Sequence, residues 1–271
     1  MLSIIVSWKN RNELGQTIES LNLSALGLNG ELIIVNFDGD RNYINNLLSR
    51  GSYQNTRIVH VRQQQMFNKA ASNNIGAYHA RYDHLFFCDC DIVVEPSILQ
   101  NLYNMVRDDP GSFGTLEGVK ETVINSIQNN HIVSFGYELL IKTGDGRVLK
   151  IKDSEEDATT GLRNAPGLLM TSKKNFKTID GYNANLVGWG WEDQDMIGRL
   201  TLGAGLLRKF HGSALHISHD DHERTKHYPL SNRWESRDKM FRQALANYDA
   251  NDFKGTYSKD VVTYEFDIWI L

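Results

Sequence analysis

The chain has 271 residues, of which 41% are hydrophobic and 23% charged, with a formal net charge of −4. That length holds one large α/β domain, or one domain with an extension, and the composition excludes a disordered chain. The charge excludes a broad basic field for nucleic acid or anionic lipid, so an anionic ligand needs local help from a metal ion or a few placed Arg and Lys residues.

The opening MLSIIVSW lacks the charged and long apolar regions of a signal peptide. No apolar run approaches the ~20 residues that span a bilayer. Cys88 and Cys90 in FFCDCD read as reduced thiols, since neighbours of one strand face are not placed to bridge each other. The expected location is cytoplasmic, with any contact at the inner membrane peripheral and made through a partner.

Residues 2–8, LSIIVSW, form a short apolar run of strand type, and Leu14, Ile18 and Leu21 then recur at helical spacing. Strands are expected again at 31–37, 57–61 and 84–91. Between them, Phe67, Ala70, Ala71, Asn74, Ile75 and Tyr78 make one helical face. Pro96 stands near the start of a helix that carries Ile98, Leu99, Leu102, Met105 and Val106. This β-α-β-α-β-α-β order predicts an α/β protein with a mostly parallel, Rossmann-like sheet flanked by helices. Ligands of such sheets bind at the carboxyl ends of the strands.

Residues 111–165 read as extended segments with a Gly-rich turn at TGDGR and an exposed acidic loop at KDSEEDATTG. APGLLMTSKKNF returns to strand and helix, and EDQDMIGRLTLG reads as a helix with acids in its first turn, where the dipole favours them. The tail holds a helix through Trp234, Met240, Phe241, Leu245 and Tyr248. It ends in VTYEFDIWIL, where Tyr264, Phe266, Ile268 and Ile270 alternate at strand period. That strand carries large apolar side chains on both faces, so it must dock on its own domain or pair with a second copy. The reading leans to a homo-oligomer.

Four stretches carry chemistry. Strand four delivers Asp89 and Asp91 at its carboxyl end, and two carboxylates on one strand face repel unless a cation joins them. Mg²⁺ and Mn²⁺ take such oxygen ligands and share them with substrate phosphates. ALHISH supplies His216 and His219, within a group of five histidines over 211–227, and neutral imidazole suits Mn²⁺ or Zn²⁺. GWGWEDQD, residues 188–195, sets Trp189 and Trp191 on flexible glycines beside Glu192 and Asp193. An indole face is a platform for a sugar ring, and a carboxylate beside it can bind sugar hydroxyls or take a proton from one. Lys9 and Arg11, after strand one, are placed to meet phosphate. Asp38, after strand two, is placed to accept from a nucleobase N–H.

APGLLMTSKKNFKTIDGYNANLVGWGWEDQDMIGRL, residues 165–200, resembles the carboxyl-terminal galactosyltransferase segment of the β-1,4-galactosyltransferases and of the chondroitin-type polymerases. It is also similar to the equivalent part of the polypeptide GalNAc-transferases. SWKNRNEL resembles the family's amino-terminal nucleotide motif, and FNKAASNNIG with FFCDCDIVVEP its approach to the DxD motif. The resemblance spans roughly residues 1–110 and 165–232.

It implies a GT-A fold, a UDP-sugar donor, Mn²⁺ (or Mg²⁺) and inversion at the anomeric carbon. It makes Asp91 a direct metal ligand with His219, puts His216 where relatives carry a Met or His ligand, and sets Asp89 near the ribose. Asp193 matches the catalytic base, Trp189 and Glu192 line the sugar site, and Lys9, Arg11 and Lys69 fall on basic positions that contact the nucleotide. Trp191 replaces a small residue and Gln194 an acid that touches the acceptor, so acceptor identity does not carry over. The implied activity moves a hexose or N-acetylhexosamine, galactose or GalNAc favoured, from a UDP-sugar to a sugar hydroxyl of a glycan or glycoprotein, as in bacterial polysaccharide or adhesin glycosylation. Two alternatives are a non-catalytic GT-A scaffold and a UDP-sugar hydrolase. The expected layout is a GT-A domain over 1–232, with a nucleotide half at 1–110 and an acceptor half at 165–232, followed by a carboxyl-terminal extension over 233–271.

Overall fold

A computed structural model of the chain describes residues 1–124, 133–230 and 232–270. The first hundred residues fold as their periods demand. They run β1 (Leu2–Trp8), α1 (Leu14–Gly27), β2 (Glu31–Phe37), α2 (Arg41–Leu48), β3 (Thr56–Val61), α3 (Lys69–His79), β4 (His84–Asp89), β5 (Ile92–Val93) and α4 (Pro96–Arg107). Every residue of β1 and β2 is buried, as required of a parallel sheet covered on both faces. The two covering layers form two clusters. One is built around Ile5, Val35, Ile75 and Phe87, the other around Ile4, Leu14, Ile34 and Leu99.

The middle supplies β6 (Ser112–Thr115), β7 (Gly118–Glu121), the hairpin β8 (Gly136–Lys142) and β9 (Val148–Ser154), then β10 (Leu162–Arg163), β11 (Leu169–Ser172) and α5 (Lys173–Thr178). The acid-led helix begins as α6 (Glu192–Gly198) and continues as a π-helical turn, Arg199–Gly203. After it come β12 (Leu207–Phe210), β13 (Ser213–His216), α7 (Asp221–Thr225), α8 (Arg233–Asp249), α9 (Tyr257–Thr263) and β14 (Phe266–Ile270).

Among the described residues the central sheet has the order β12-β6-β11-β4-β1-β2-β3-β14. It is parallel across β4, β1, β2 and β3, as expected. β11 enters antiparallel between β4 and β6, and β14 antiparallel beside β3, which the chain-order reading did not foresee. A smaller sheet, β10-β7-β13-β5, lies beyond the end of β4. In it β13 runs between β5 and β7, so that His216 pairs with Ile92 on one side and with Glu121 on the other.

The tail belongs to the same body. Met240, Ala244 and Tyr248 of α8 are buried in one of the two main clusters, with Phe253 after them. β14 caps the β3 edge from Phe266↔Val61 to Ile270↔Arg57. The last strand therefore docks on its own domain, the first of the two outcomes expected for it, and becomes the outer strand of the sheet. The expected strand also starts later than its pattern suggested: Tyr264 is the cap that follows α9, a helix the sequence reading missed. No helix among the described residues is long and apolar enough to cross a membrane.

Candidate active site

One cleft at the carboxyl ends of β1 and β4 gathers Arg11, Lys69, Asp89, Asp91, Trp189, Glu192, Asp193, His216 and His219. β4 stops at Asp89, and Cys90 and Asp91 turn the chain into β5. The expectation that Asp89 and Asp91 share one strand face is thereby corrected. The turn separates the two carboxylates: Asp89 keeps a side chain 40% exposed and pairs with Lys69 at 2.7 Å, while Asp91 is only 5% exposed.

Asp91 joins the two histidines. Its Oδ2 lies 3.2 Å from His219 Nε2, 3.5 Å from His216 Nε2 and 3.0 Å from Arg11 Nη2. One ligand atom from each of Asp91, His216 and His219 can be chosen so that all lie within 4.8 Å of one another. Burial alone would push the Asp91 carboxyl up, but His216, His219 and Arg11 hold it well below the usual carboxylate range. Behind the cluster, His216 Nδ1 lies 2.7 Å from Glu121 Oε2. Glu121 also accepts from Arg163 Nε and Ser218 Oγ, each at 2.7 Å. Against the effect of burial, His216 and Arg163 draw its carboxyl down to about 2.

The second centre is Asp193. Asn68 caps α3 by accepting from Ala71 N at 3.0 Å, and Lys69, the next residue, lines the cleft with its side chain largely buried. Lys69 Nζ then donates to Asp193 Oδ2 at 2.9 Å. A side chain at Gly167 would collide with the Asp193 carboxylate, so glycine there makes room for this pair. Burial pushes the Asp193 carboxyl up to about 7. The Lys69 ammonium pulls it down, and the negative charges of Glu192 and Asp89 add to the rise.

The two tryptophans part company. Gly188 and Gly190 adopt φ of +135° and +118°, a backbone that L side chains rarely reach, and the chain kinks at each. Trp189 is left in the cleft, with the guanidinium carbons of Arg224 and Arg233 at 6.0 and 5.7 Å from its ring centroid. Trp191 points the other way. It is 3% exposed and packs edge-on against Phe241 of α8 at 4.7 Å between centroids. The expected sugar or acceptor contact by Trp191 is corrected to a core role. Glu192 stays at the cleft, and its Oε2 accepts from Gly190 N at 3.0 Å.

Two expected nucleotide contacts also change. Lys9 borders the cleft, yet its ammonium donates to the carbonyls of Phe37, Asp38 and Gln64 at 3.0, 2.9 and 2.7 Å. An ammonium has three N–H groups, so Lys9 is committed to tying these loops together. Asp38 lies outside the cleft lining and accepts from Gln64 N at 2.7 Å. Of the five clustered histidines, His227 joins His216 and His219 in lining the cleft, and His222 is 81% exposed at its side chain.

Several cleft residues escaped the sequence reading. The stretch read as an exposed acidic loop puts Asp153 and Glu155 into the lining, and the tail helix adds Arg237. Asp153 Oδ2 accepts from Tyr137 Oη at 3.0 Å and from Gln194 Nε2 at 3.3 Å, with Arg237 Nη1 at 3.7 Å. No periodicity or motif marks these residues, because each arrives from a segment remote in sequence.

Residues 3–160 match the family model for Glycosyl transferase family 2, and residues 160–223 match the model for the N-terminal domain of galactosyltransferase. The chain belongs to glycosyl transferase family 2. No curated protein matches this glycosyltransferase by sequence. Among solved structures it is similar to the catalytic domain of Drosophila β1,4-galactosyltransferase 7 in complex with xylobiose, at 14% identity and a TM-score of 0.50, over 89% of this chain and 79% of that one. It is also similar to residues 1–349 of S. aureus TarS, at 11% identity and a TM-score of 0.55, over 90% of this chain and 64% of that one. GalNAc-T7 with UDP, GalNAc and Mn²⁺ aligns at 11% identity and a TM-score of 0.59, over 97% of this chain and 56% of that one. The glycosyltransferase thus has the GT-A fold and spans little more than half of the GalNAc-T7 chain. Its own residues fit a divalent cation at Asp91, His216 and His219, where a carboxylate and two imidazoles converge; Asp91 Oδ1 is buried with no hydrogen-bond partner among the described residues.

Proposed function

We propose that this glycosyltransferase moves a hexose or N-acetylhexosamine, galactose or GalNAc favoured, from a UDP-sugar to a sugar hydroxyl of a glycan or glycoprotein, with inversion. One observation carries the reading. Two carboxylates of the same cleft, Asp91 and Asp193, each keep a buried Oδ1 without a partner among the described residues. A buried polar atom left unpaired costs about 1–3 kcal/mol, a cost that a cation on Asp91 and an acceptor hydroxyl on Asp193 would relieve.

Asp193 serves as general base. Lys69 holds Oδ2, which orients the carboxylate and leaves Oδ1 to take the acceptor proton. The acceptor oxygen then bonds to the anomeric carbon as the bond from that carbon to the diphosphate breaks on the opposite face. Asp91, His216 and His219 would hold Mn²⁺ or Mg²⁺, which when bound would neutralise charge on the leaving diphosphate. Arg11 stands beside that cluster as a fixed positive charge for the same phosphates. Glu192 and Trp189 border the sugar, and Asp89 together with Lys69 lies toward the nucleotide. The GalNAc-T7 structure holds UDP, GalNAc and Mn²⁺, which supports this choice of donor and ion.

The test is UDP release over UDP-galactose, UDP-GalNAc and UDP-GlcNAc with Mn²⁺ and a panel of saccharide acceptors. Acceptor-stimulated release is expected with one of the first two. Release at equal rates with and without every acceptor would mark a hydrolase, and no release from any donor would sink the reading.

A further inference from the structure

Glu121 has no part in the reaction described above, yet it is among the most tightly held carboxylates of the molecule. It is 3% exposed and ends β7, where the small sheet pairs it with His216. Its Oε1 accepts from Arg163 Nε at 2.7 Å, and its Oε2 is 2.7 Å from both Ser218 Oγ and His216 Nδ1. The imidazole is therefore held between two carboxylates, with Nδ1 on Glu121 and Nε2 directed at Asp91 Oδ2, 3.5 Å away.

We infer that Glu121 is a positioning residue for the metal cluster: it keeps the ring proton of neutral His216 on Nδ1, so that the Nε2 lone pair is presented beside Asp91. A neutral imidazole has one N–H and one lone pair, and the partner of one nitrogen decides which atom can ligate. Carboxylates that accept from the far nitrogen of a ligating histidine raise its basicity and fix its orientation, and losing them typically costs 10–100-fold in metal affinity. Arg163 and Ser218 extend the device. They pin the carboxylate from β10 and from the turn between His216 and His219, so the ligand segment and the middle of the chain are held by the same group.

The inference rests on the metal reading above, and its test separates the two. Glu121→Gln keeps the volume. A guanidinium only donates, so the amide oxygen stays with Arg163 and the amide NH₂ turns to His216. An N–H donor facing Nδ1 moves the ring proton to Nε2 and removes the lone pair from the cluster. Nitrogen NMR of labelled protein at alkaline pH, without metal, is expected to place the His216 proton on Nδ1 in the wild type and on Nε2 in the variant. Calorimetry with Mn²⁺ in the presence of UDP is expected to show affinity lower by roughly 10–100-fold. A wild type that does not bind Mn²⁺ overturns the metal reading and this inference with it. A variant that binds Mn²⁺ as tightly as wild type, or keeps the proton on Nδ1, overturns this inference alone. Should Glu121→Gln fail to fold, Ser218→Ala removes one of the three hydrogen bonds to the same carboxylate. It is expected to weaken Mn²⁺ binding several-fold, and unchanged affinity there likewise overturns the inference.

Discussion

Replacing Asp193 by Asn removes the proposed base while keeping its size. In the native protein Oδ2 is held by Lys69, Oδ1 is buried without a partner, and burial has pushed the carboxyl up to about 7. A base works only when ionised, so the working fraction falls about tenfold for each pH unit below that value. At pH 6 roughly a tenth of the enzyme would be competent, and at pH 5 roughly a hundredth. Wild-type kcat/KM, followed by UDP release at saturating Mn²⁺, is expected to rise with unit slope and level off above about pH 7. Asp193→Asn is expected to lose a factor of about 10²–10⁴ in turnover and to lose the rising limb with it. Stability supplies a second readout. The folded carboxyl titrates above its ordinary value of 3.8, so its contribution is fully present below that pH and is lost as pH rises through about 7. Asn does not titrate, so the stability of the variant relative to wild type should improve between pH 4 and pH 8 by up to a few kcal/mol. Near-normal transfer by a folded Asp193→Asn, or a rising limb that survives in it, would refute the assignment.

Asp91→Ala and His219→Ala should each abolish the enhancement of UDP binding by Mn²⁺, because ion and diphosphate bind as a unit; calorimetry that finds UDP binding equal with and without Mn²⁺ in the wild type ends that model. The two tryptophans should separate cleanly: Trp191→Ala is expected to cost about 3–5 kcal/mol in denaturant unfolding, whereas Trp189→Ala should leave stability within about 1 kcal/mol and raise the KM for acceptor. Equal stability losses in both would contradict their opposite orientations. Deleting 266–271 uncovers the β3 edge and is expected to produce aggregation, followed by light scattering; a truncated protein that stays soluble and monomeric at the same concentration would show that β14 does not protect that edge.

Much of the first hundred residues was legible in the sequence. Strands buried on both faces are written as continuous apolar runs, so β1 to β4 could be placed from LSIIVSW, ELIIVNF, RIVHV and HLFFCDCD, the last two residues too long, while the residues of α2 carried no pattern that was read. The stretches at residues 89–91, 188–193 and 216–219 could also be picked out, and Asp91, Asp193, His216 and His219 do line one cleft. What the sequence could not determine was direction and partnership. Trp189 and Trp191 share one motif, and only the two kinks at Gly188 and Gly190 send one into the cleft and the other into the core. Lys9 was visible as a basic residue at a strand end, but whether its ammonium faced a ligand or three carbonyls depended on loops 28 and 55 residues away in sequence. Glu121 and Asp153 lay in stretches without a pattern: Glu121 met His216 only when β7 paired with β13, and Asp153 entered the cleft only when the β8–β9 hairpin met the helix after Trp191. A local pattern reports burial and period because those follow from neighbouring residues. The pairing of remote strands, and the charges it brings together, is set by the packing of the whole chain.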